Sequence, residues 1–455
     1  MARTAEGRQS GLNIDTPFLS AYIISLMMTE PAPKTPKTPR LEKAPTPPKL
    51  SLPEQLSSLH QQYHTPNYGP SHAMVKGKGA YLYDAKGKKY LDFVSGIAVT
   101  ALGHCHPALV KAISKQAGRL MHVSNLYYND QAPRLAQELM EAAGLSGKVF
   151  FCNSGAEANE GLIKAARKWG NESDRFEIIS FRNSFHGRTL ATLTATGQEK
   201  VQYGFAPLPE GFKYAQYNDL ESVKAHLTPK TAAVLLELVQ AEGGVIPADP
   251  EFVKGLAALC RDRNLLLLVD EIQTGIGRTG SLFAWQQFGI QPDGFSLAKG
   301  LGGGFPVGAV MLGPRLKDIF QPGSHGTTFG GQPLAAAAAR AVLQTIQSKN
   351  LCTNADTMGF LLQRKLKKVV DSYSFVRAVR GKGLLVGLVI DRPAKELEEI
   401  LTRRGLLTVC TANTVIRLLP PLIVTPRQIS QAVKIIDKAC AEWQEKLLTQ
   451  QGTRS

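Results

Sequence analysis

The sequence predicts an α/β protein with a large domain built on a mainly parallel sheet and a second, smaller α+β domain. Its 455 residues exceed what one hydrophobic core usually supports. Its 43% hydrophobic and 20% charged residues, with 42 glycines, are typical of a globular protein rich in turns. From about residue 130 onward, short apolar runs bounded by turns alternate with segments of helical periodicity. This alternation is typical of parallel strands joined by helices.

Each element follows from its local pattern. Apolar runs predict five strands in the large domain, over residues 176–181, 232–239, 265–269, 294–298 and 307–312. Helical spacing predicts helices between them, over residues 219–227 and 250–263, and Pro250 suits a first helical turn. After about residue 345 the pattern begins with a helix. It continues with a strand over residues 383–390, a helix over 394–404, a strand over 415–419 and a last helix over 426–447. The change of pattern predicts a separate lobe.

Four parts are predicted along the chain. Residues 1–60 are expected to be a disordered, proline-rich extension, because residues 31–53 hold eight of the 27 prolines and such a composition buries little apolar area. Residues 61–125 are assigned to the first part of the small domain, residues 126–344 to the large domain and residues 345–455 to the rest of the small domain.

The N-terminal apolar stretch, residues 18–28, is too short to span a membrane and has no clear small-residue cleavage site. Neither a membrane anchor nor a secretory signal is therefore predicted. Two interpretations of this end of the chain stay open. Its arginines are compatible with an organellar address, and translation could equally begin at Met27 or Met28.

The formal net charge of +16 does not by itself indicate nucleic-acid binding, because the Lys and Arg residues are scattered singly without a dense basic block. No nucleic-acid partner is predicted, and the charge is interpreted as a solvated surface that attracts small anions. The six cysteines include no C-x-x-C pair, which favours a reducing cytoplasm over a disulfide framework or a zinc ribbon. The run His104-Cys105-His106 is interpreted as a turn before Pro107, and no metal site is predicted.

Lys299 is the first candidate for chemistry. It ends a predicted strand and leads into the glycine-rich residues 300–304. Burial disfavours the charged form of a lysine and leaves a free electron pair that can attack an aldehyde carbon. The alternative is a surface lysine in a loop. The segment lacks the pattern G-x-x-x-x-G-K-[ST], so a nucleotide phosphate loop is not indicated.

Asp270 is the second candidate, at the end of the apolar residues 265–269. Sheets of this class bind ligands beyond the carboxyl ends of their strands. A carboxylate there can keep a heterocyclic nitrogen protonated, as a pyridine ring needs to accept electrons. A charge-assisted hydrogen bond of this kind contributes about 1.5 to 3 kcal/mol. The alternative, an N-cap of a following helix, is disfavoured by the glycines at 275, 277 and 280.

Two further segments offer groups for a phosphate and for a ring. Ser154 and Gly155 precede a run of helical periodicity, and the unpaired N–H groups and positive dipole of a helix start favour a phosphate. Simple capping by Ser154 is the alternative. Phe185 offers a ring for stacking, and Arg188 offers a guanidinium fork for a carboxylate.

Taken together, these segments resemble the class III (subgroup II) pyridoxal-phosphate-dependent aminotransferases of fold type I, over roughly residues 61 to 445. Five further segments occur in the order and spacing of that family: 95–99 (SGIAV), 103–107 (GHCHP), 240–244 (QAEGG), 326–331 (GTTFGG) and 417–422 (RLLPPL). The resemblance implies a fold type I transferase with pyridoxal 5′-phosphate as cofactor.

The resemblance also implies which residues hold the cofactor. Lys299 resembles the lysine that is joined to it, and Asp270 the acid that pairs with its pyridine nitrogen. Gln273 would contact the phenolic oxygen and Phe185 would stack on the ring. The phosphate would be held by three residues, Ser154, Gly155 and Ala156.

The same resemblance assigns residues to the partner subunit and to the substrate. Thr328 resembles a threonine that reaches the phosphate bound in the neighbouring subunit, which implies a homodimer with shared active sites. Arg188 resembles the arginine that grips the distal part of the substrate, with Thr327 close to it. Arg417 resembles the arginine that holds the α-carboxylate, and Glu242 its gating partner.

Within the family, residues 96–107 and 124–129 most resemble the acetylornithine aminotransferases of arginine biosynthesis. This implies transfer of the δ-amino group of N-acetylornithine to 2-oxoglutarate, giving N-acetylglutamate 5-semialdehyde and glutamate. Thr100, Leu238 and Gln332 depart from the pattern, in which Asn, Pro and Asn are common. Aminotransferases of ornithine, succinylornithine or 4-aminobutyrate are the alternatives with the same chemistry. A non-catalytic nucleotide-binding protein is the alternative from another class.

Overall fold

The computed structural model describes residues 50–452, with side chains up to residue 449. Residues 1–55 separate as a unit of their own, of which only residues 50–55 are described, and residues 56–455 form the second unit. The strands are β1 (Met74–Lys78), β2 (Tyr81–Asp84), β3 (Lys89–Asp92), β4 (Lys148–Cys152), β5 (Glu177–Phe181), β6 (Phe212–Ala215), β7 (Thr231–Glu237), β8 (Val239–Gln240), β9 (Ile246–Pro247), β10 (Leu266–Asp270), β11 (Gly294–Leu297), β12 (Gly308–Leu312), β13 (Val376–Lys382), β14 (Leu385–Ile390), β15 (Leu406–Leu407), β16 (Val409–Thr411) and β17 (Val415–Leu418).

The helices are α1 (Leu52–Tyr63), α2 (Ser95–Ala98), α3 (Pro107–Ala117), α4 (Ala132–Ala143), α5 (Gly155–Gly170), α6 (Leu190–Ala195), α7 (Glu199–Gln202), α8 (Leu220–His226), α9 (Pro250–Asp262), α10 (Pro333–Ser348), α11 (Leu351–Ser372), α12 (Lys395–Arg403) and α13 (Pro426–Gly452). Short 3₁₀ turns lie at Asn171–Ser173, Ala284–Phe288 and Lys299–Leu301. From β4 to β7 every strand is separated from the next by at least one helix, and α9 precedes β10, as the periodicity predicts.

A seven-stranded sheet forms the centre of the large domain, in the order β4-β12-β11-β10-β7-β5-β6. Neighbours from β11 to β6 pair in parallel, and only β12 runs against its two neighbours. Strands β7 and β10 are buried along their whole length, which explains why they are uninterrupted apolar runs in the sequence. The predicted α/β class with a mainly parallel sheet is confirmed.

All five strands predicted for this sheet are present, within one or two residues of their predicted ends. The two edge strands, β4 and β6, are not among the predictions. Each is short: β6 has a lysine between its apolar residues, and the apolar run of β4 is only four residues long, after Lys148. The predicted helices over residues 219–227 and 250–263 are α8 and α9.

The remaining strands form three smaller sheets. The C-terminal sheet has the order β13-β14-β17-β16, and a two-stranded ribbon joins β8 to β9. The order β1-β2-β3-β15 joins strands from both ends of the chain, because β15 pairs in parallel with β3. This pairing links the two parts that the sequence analysis assigns to the small domain. The domain limits at residues 125 and 344 stay a prediction.

Of the N-terminal extension predicted over residues 1–60, residues 1–49 lie outside the described residues. From Leu52 onward the chain is helical in α1, which differs from the predicted disorder, although α1 buries none of its residues. Ser51 explains this start, because its backbone N–H and its hydroxyl bond to the Glu54 carboxylate at 2.8 and 2.6 Å, a helix-capping contact. Among the residues described, no helix combines the length and apolar composition needed to cross a membrane.

Helix α2 is a single left-handed turn. The backbone φ angles of Ser95, Gly96, Ile97 and Ala98 are 49°, 62°, 64° and 65°. Each residue with a Cβ costs roughly 1 to 2 kcal/mol in this conformation. Three such residues within one turn require support from their surroundings.

Candidate active site

The candidate site lies where the parallel strands β7, β10 and β11 end. Asp270 closes β10 beside Glu237 of β7 and Ser296 of β11, and Lys299 follows β11 two residues after its end. A cavity opens at this edge, lined by Gly155, Ala156, Phe185, His186, Gly187, Glu237, Val239, Asp270, Ile272, Gln273, Thr274 and Lys299. The sheet therefore brings together residues that are far apart in the sequence.

Asp270 is buried and held by three hydrogen bonds. Its Oδ2 accepts from Asn159 Nδ2 at 2.7 Å and lies 2.8 Å from His186 Nδ1. Its Oδ1 accepts the backbone N–H of Ile272 at 3.0 Å. A carboxylate can accept about four hydrogen bonds, so Oδ1 keeps capacity for one more donor. The side chain is therefore fixed in place with an acceptor still available.

Lys299 is half-buried and has a φ of +39°, a left-handed conformation that is unfavourable for lysine. Burial lowers the pKa of its amine. Glu242 raises this pKa, Arg417 lowers it and Asp270 raises it, and the net direction is downward. A larger share of the amine is therefore uncharged and able to act as a nucleophile or a base.

The predicted phosphate site is the start of α5. Ser154 is the N-cap residue, and its side chain accepts the N–H of Glu157 at 3.2 Å. The first backbone N–H groups of a helix have no partner within it and attract anions. A Cβ on Gly155 would lie 2.8 Å from Ile272 Cδ1, so glycine is needed for this helix start to approach the wall of the cavity.

Phe185 is half-buried in the wall of the cavity, and its backbone N–H donates to Glu237 Oε2 at 3.0 Å. Glu237 is only 6% exposed. Burial raises the pKa of Glu237 well above its ordinary value, and the negative charge of Asp270 raises it further. The protonated form of Glu237 is therefore favoured beside Asp270.

Replacing Glu237 by glutamine is expected to flatten the pH dependence of stability. The folded protein keeps a proton on Glu237 that the unfolded chain releases above its ordinary pKa of about 4.3. The contribution of this group is therefore full below that value and is lost as the pH rises through the raised folded pKa. Thermal midpoints measured between about pH 5 and pH 8 should fall less steeply in Glu237→Gln. An equally steep fall in both proteins would contradict the inferred protonation.

Arg417 and Glu242 form an ion pair at the end of the cavity near Gln273. Arg417 Nη1 lies 2.6 Å from Glu242 Oε1 and donates to Gln273 Oε1 at 3.3 Å. The Arg417 side chain is 1% exposed and that of Glu242 is 27% exposed. Burial by itself raises the pKa of Glu242, but the charge and hydrogen bond of Arg417 bring it below the ordinary value. The pair is therefore charged at neutral pH.

Six predicted residues lie outside the cavity lining, namely Ser154, Glu242 and Arg417, described above, and Arg188, Thr327 and Thr328. Arg188 is exposed, with its guanidinium carbon 5.5 Å from the centre of the Phe185 ring. Thr327 accepts at its hydroxyl from Asn153 Nδ2 at 3.2 Å, one residue before the cap of α5. Thr328 is exposed. Within this chain, then, these residues border the site, and Thr328 is not among the residues that line it.

The sequence patterns assign no role to His186, Asn159 or Glu237. In the structure, His186 and Asn159 contact the Asp270 carboxylate, and Glu237 accepts the backbone N–H of Phe185. His186 and Asn159 belong to segments that are singled out for other residues, Phe185 and Ser154. Their role becomes visible only in the fold, where both contact Asp270 at the end of β10. The signal for Glu237 is its place at the carboxyl end of a strand that neighbours β10, the same position as Asp270. Comparing the ends of neighbouring strands could have found it.

The residues present fit pyridoxal phosphate. Asp270 supplies a fixed acceptor for a ring nitrogen, and Lys299 supplies an amine of lowered pKa for an aldehyde carbon. The start of α5 supplies unpaired N–H groups for a phosphate, and Gly155 lets it pack closely against Ile272 in the cavity wall. The interpretation of residues 104–106 as a turn is consistent with Pro107 beginning α3. No group of His, Cys, Asp or Glu residues among those described could hold a metal ion.

Comparison with known proteins gives a consistent result. Residues 63–440 match the aminotransferase class-III family. The acetylornithine aminotransferase of Methanocaldococcus jannaschii is 46% identical over 395 residues, which is 86% of this chain and 98% of the relative. That of Bacillus subtilis is 49% identical over 388 residues, which is 85% of this chain and 98% of the relative.

Solved structures agree with these relatives. The ornithine aminotransferase from Toxoplasma gondii has a TM-score of 0.84 at 33% identity, covering 88% of this chain and 96% of that one. The acetylornithine aminotransferase from Elizabethkingia anophelis has a TM-score of 0.77 at 36% identity, covering 86% and 99%. Because the family match runs through nearly the whole described chain and includes every segment that lines the cavity, the chain belongs to the class III aminotransferases.

Proposed function

We propose that this aminotransferase uses pyridoxal phosphate to transfer the δ-amino group of N-acetylornithine to 2-oxoglutarate, giving N-acetylglutamate 5-semialdehyde and glutamate. The observation that carries the chemistry is that Asp270, Lys299 and the start of α5 meet at one cavity. The choice of amino donor is supported by two relatives that are named acetylornithine aminotransferases and are close to half identical to this chain.

The bound cofactor supplies an electron sink for the electrons released when a substrate C–H bond breaks. Asp270 provides a fixed negative charge that favours a proton on a ring nitrogen held against it. Lys299 Nζ, whose lowered pKa leaves a larger share of the amine uncharged, would accept the proton from the amine-bearing carbon of the substrate and deliver it to the former aldehyde carbon of the cofactor in the same half-reaction. In the second half-reaction it would move the proton in the opposite direction. The start of α5 would hold the phosphate, and Phe185, in the wall of the cavity, would stack on the ring.

One cavity has to accept two unlike substrates. N-acetylornithine presents a δ-amine with its α-carboxylate far away, whereas glutamate presents its α-amine with that carboxylate beside the reacting atoms. The Arg417–Glu242 pair meets both demands. While paired, Arg417 has its charge neutralised, and when released it can fork an α-carboxylate. Arg188, with Thr327 nearby, would hold the distal end of either substrate.

Substitutions in this pair are expected to separate the two half-reactions. Glu242→Ala leaves Arg417 open, so the glutamate half-reaction should speed up relative to the N-acetylornithine half-reaction. Arg417→Lys should slow the glutamate half-reaction by about tenfold more than the other, because lysine cannot make the two-pronged contact. Single-turnover rates of both half-reactions measure this.

Arg340→Lys is the matched control for this pair, because Arg340 contacts Glu138 at 3.0 and 2.7 Å at a distance from the cavity lining. It should change both half-reactions equally or not at all. Equal losses in the two half-reactions of Arg417→Lys and Glu242→Ala would rule out the exchange of partners while leaving the aminotransferase activity intact.

A homodimer with shared active sites is part of the proposal. Asn125 ties two loops together by donating to the backbone oxygens of Thr327 and Gly330 at 3.1 and 3.2 Å. These loops expose large apolar side chains around Thr328, namely Leu126 (80%), Tyr127 (72%), Tyr128 (101%) and Phe329 (64%). An apolar surface of this kind is typical of a subunit contact. Sedimentation at micromolar concentration tests the dimer.

The amino-donor panel is the decisive test of the substrate. With 2-oxoglutarate as acceptor, kcat/KM for N-acetylornithine is expected to exceed the values for ornithine, succinylornithine and 4-aminobutyrate. Ornithine is the second candidate, because the ornithine aminotransferase structure has a higher TM-score than the acetylornithine enzyme. A higher kcat/KM for ornithine would replace the proposed donor.

A cytoplasmic location completes the proposal. All six cysteines are thiols in the described chain, and Cys152, Cys260 and Cys440 are buried. Burial raises the pKa of each of these three thiols to about 12, which keeps them protonated and unreactive. Fractionation of cells that express the full chain tests the location.

A further inference from the structure

The left-handed turn α2 lies beside the candidate active site. Its four residues have φ between 49° and 65°, and only Gly96 among them lacks a Cβ. Such a conformation persists only where the surroundings hold it, and it occurs preferentially at functional sites. The structure around the turn shows what holds it and what it touches.

Asp92 holds the entry to the turn. It is 2% exposed, and its Oδ1 accepts the backbone N–H groups of Val94 and Ser95 at 2.8 and 3.0 Å. Its Oδ2 lies 2.7 Å from His104 Nε2. One oxygen of the carboxylate thus binds the turn while the other is fixed by His104. We refer to these two side chains as the Asp92–His104 pair.

His104 is anchored by its own backbone. Its N–H donates to the Gly79 carbonyl oxygen at 2.8 Å, and its carbonyl oxygen accepts the Gly79 N–H at 2.9 Å. A Cβ on Gly77 of β1 would lie 2.6 Å from the His104 Cβ, so the hairpin β1–β2 packs directly on this histidine. The imidazole is therefore a rigid support for Asp92.

The other side of the turn contacts the site. The turn approaches Lys299–Leu301 to within 8 Å between Cα atoms. Ala98 is buried in one cluster with Val239, which lines the cavity. Just after the turn, Ala101 Cβ lies 3.7 Å from where a Cβ on Gly300 would stand. Because packed interiors transmit displacements, a shift of the turn would move the backbone that carries Lys299.

We propose that the Asp92–His104 pair is a positioning pair for transamination: it fixes the left-handed turn, and the turn fixes the Lys299 segment and the Val239 wall. Neither side chain of the pair lines the cavity, so the pair acts through the turn. The inference rests on the proposed function only in requiring transamination at Lys299, and it is independent of which amino donor is used.

The test compares four variants of the holoenzyme. His104→Ala removes the support of Asp92, and His104→Gln replaces the imidazole by an amide that can still donate a hydrogen bond. Asp92→Asn weakens the contact from the other side. Asp84→Asn is the matched control, because Asp84 also accepts two backbone N–H groups, from Lys86 and Lys88 at 2.9 Å, and one side-chain donor, Tyr90, at 3.0 Å.

The single-turnover rate with saturating glutamate is the main measurement. His104→Ala and Asp92→Asn are expected to slow it by about tenfold or more, since small misplacements of reacting groups have effects of this size. His104→Gln should recover most of the loss. Asp84→Asn should react at the unaltered rate even if its thermal midpoint falls as far. Amide hydrogen exchange of residues 93–101 should speed up in His104→Ala and remain slow in Asp84→Asn.

Rates within twofold of the unaltered protein in both His104→Ala and Asp92→Asn would overturn the proposal, as would an equal loss in Asp84→Asn. Unchanged hydrogen exchange over residues 93–101 in His104→Ala would overturn it as well, and this measurement needs only folded protein. If the unaltered enzyme rejected N-acetylornithine, the proposed donor would fail separately, because glutamate is the substrate used for this test.

Discussion

Replacing Lys299 by alanine is expected to slow turnover by about 10³-fold or more while the protein still binds pyridoxal phosphate. The substitution removes the amine that we propose is joined to the cofactor and, with it, the proposed base that moves the substrate proton. The start of α5 and the Asp270 carboxylate remain, and both are held by contacts that do not involve Lys299. Binding and turnover should therefore separate.

Borohydride reduction checks the assignment directly. It should attach the cofactor irreversibly to the unaltered protein and to Lys213→Ala, but not to Lys299→Ala. Lys213 suits as control because it is a partly exposed lysine of the same sheet that pairs with Glu177 at 2.9 Å, outside the cavity. A label found on a lysine other than Lys299 by peptide mapping would refute the assignment.

The sequence is sufficient to predict the parts of the site that occupy strand ends and helix starts. Asp270 follows an apolar run that has to be buried on both faces, and Lys299 follows a similar run, so the apolar pattern alone places both at one edge of a parallel sheet. Ser154 is likewise marked by the helical periodicity that follows it. Local pattern and parallel topology together predict these three positions.

The contacts that fix those residues depend on long-range packing and are not visible in a single sequence. Asn159 and His186 are 111 and 84 residues away from Asp270 along the chain, yet they share its Oδ2. The Asp92–His104 contact joins a strand to a turn whose sequence, His104-Cys105-His106, indicates only a bend before Pro107. The left-handed conformation of Ile97 contradicts the ordinary preference of a β-branched residue, so no propensity argument predicts it.

The Asp270→Asn substitution tests the second of the two groups on which the proposed chemistry depends. A neutral amide is nearly the same size but supplies no negative charge to favour a protonated ring nitrogen. Removing one prearranged electrostatic group of an active site costs about 10²- to 10³-fold in rate, and a loss of this size is expected in the glutamate half-reaction. Cofactor content should stay close to that of the unaltered protein, because the start of α5 and Lys299 are unchanged.

The hydrogen bonds around Asp270 sharpen this prediction. Asn159 Nδ2, His186 Nδ1 and the Ile272 N–H all point at the carboxylate, so an amide must turn its own NH₂ group toward at least one donor. Part of the loss is therefore structural, and Asp293→Asn is the comparison for a structural loss alone. Asp293 accepts the Leu267 N–H at 2.8 Å and pairs with Arg315 at the opposite end of the sheet. Asp293→Asn should lower the thermal midpoint without the rate loss. A rate for Asp270→Asn within about tenfold of the unaltered protein, less than the loss of even one charge-assisted hydrogen bond would cost, would show that Asp270 supports the fold and does not tune the ring.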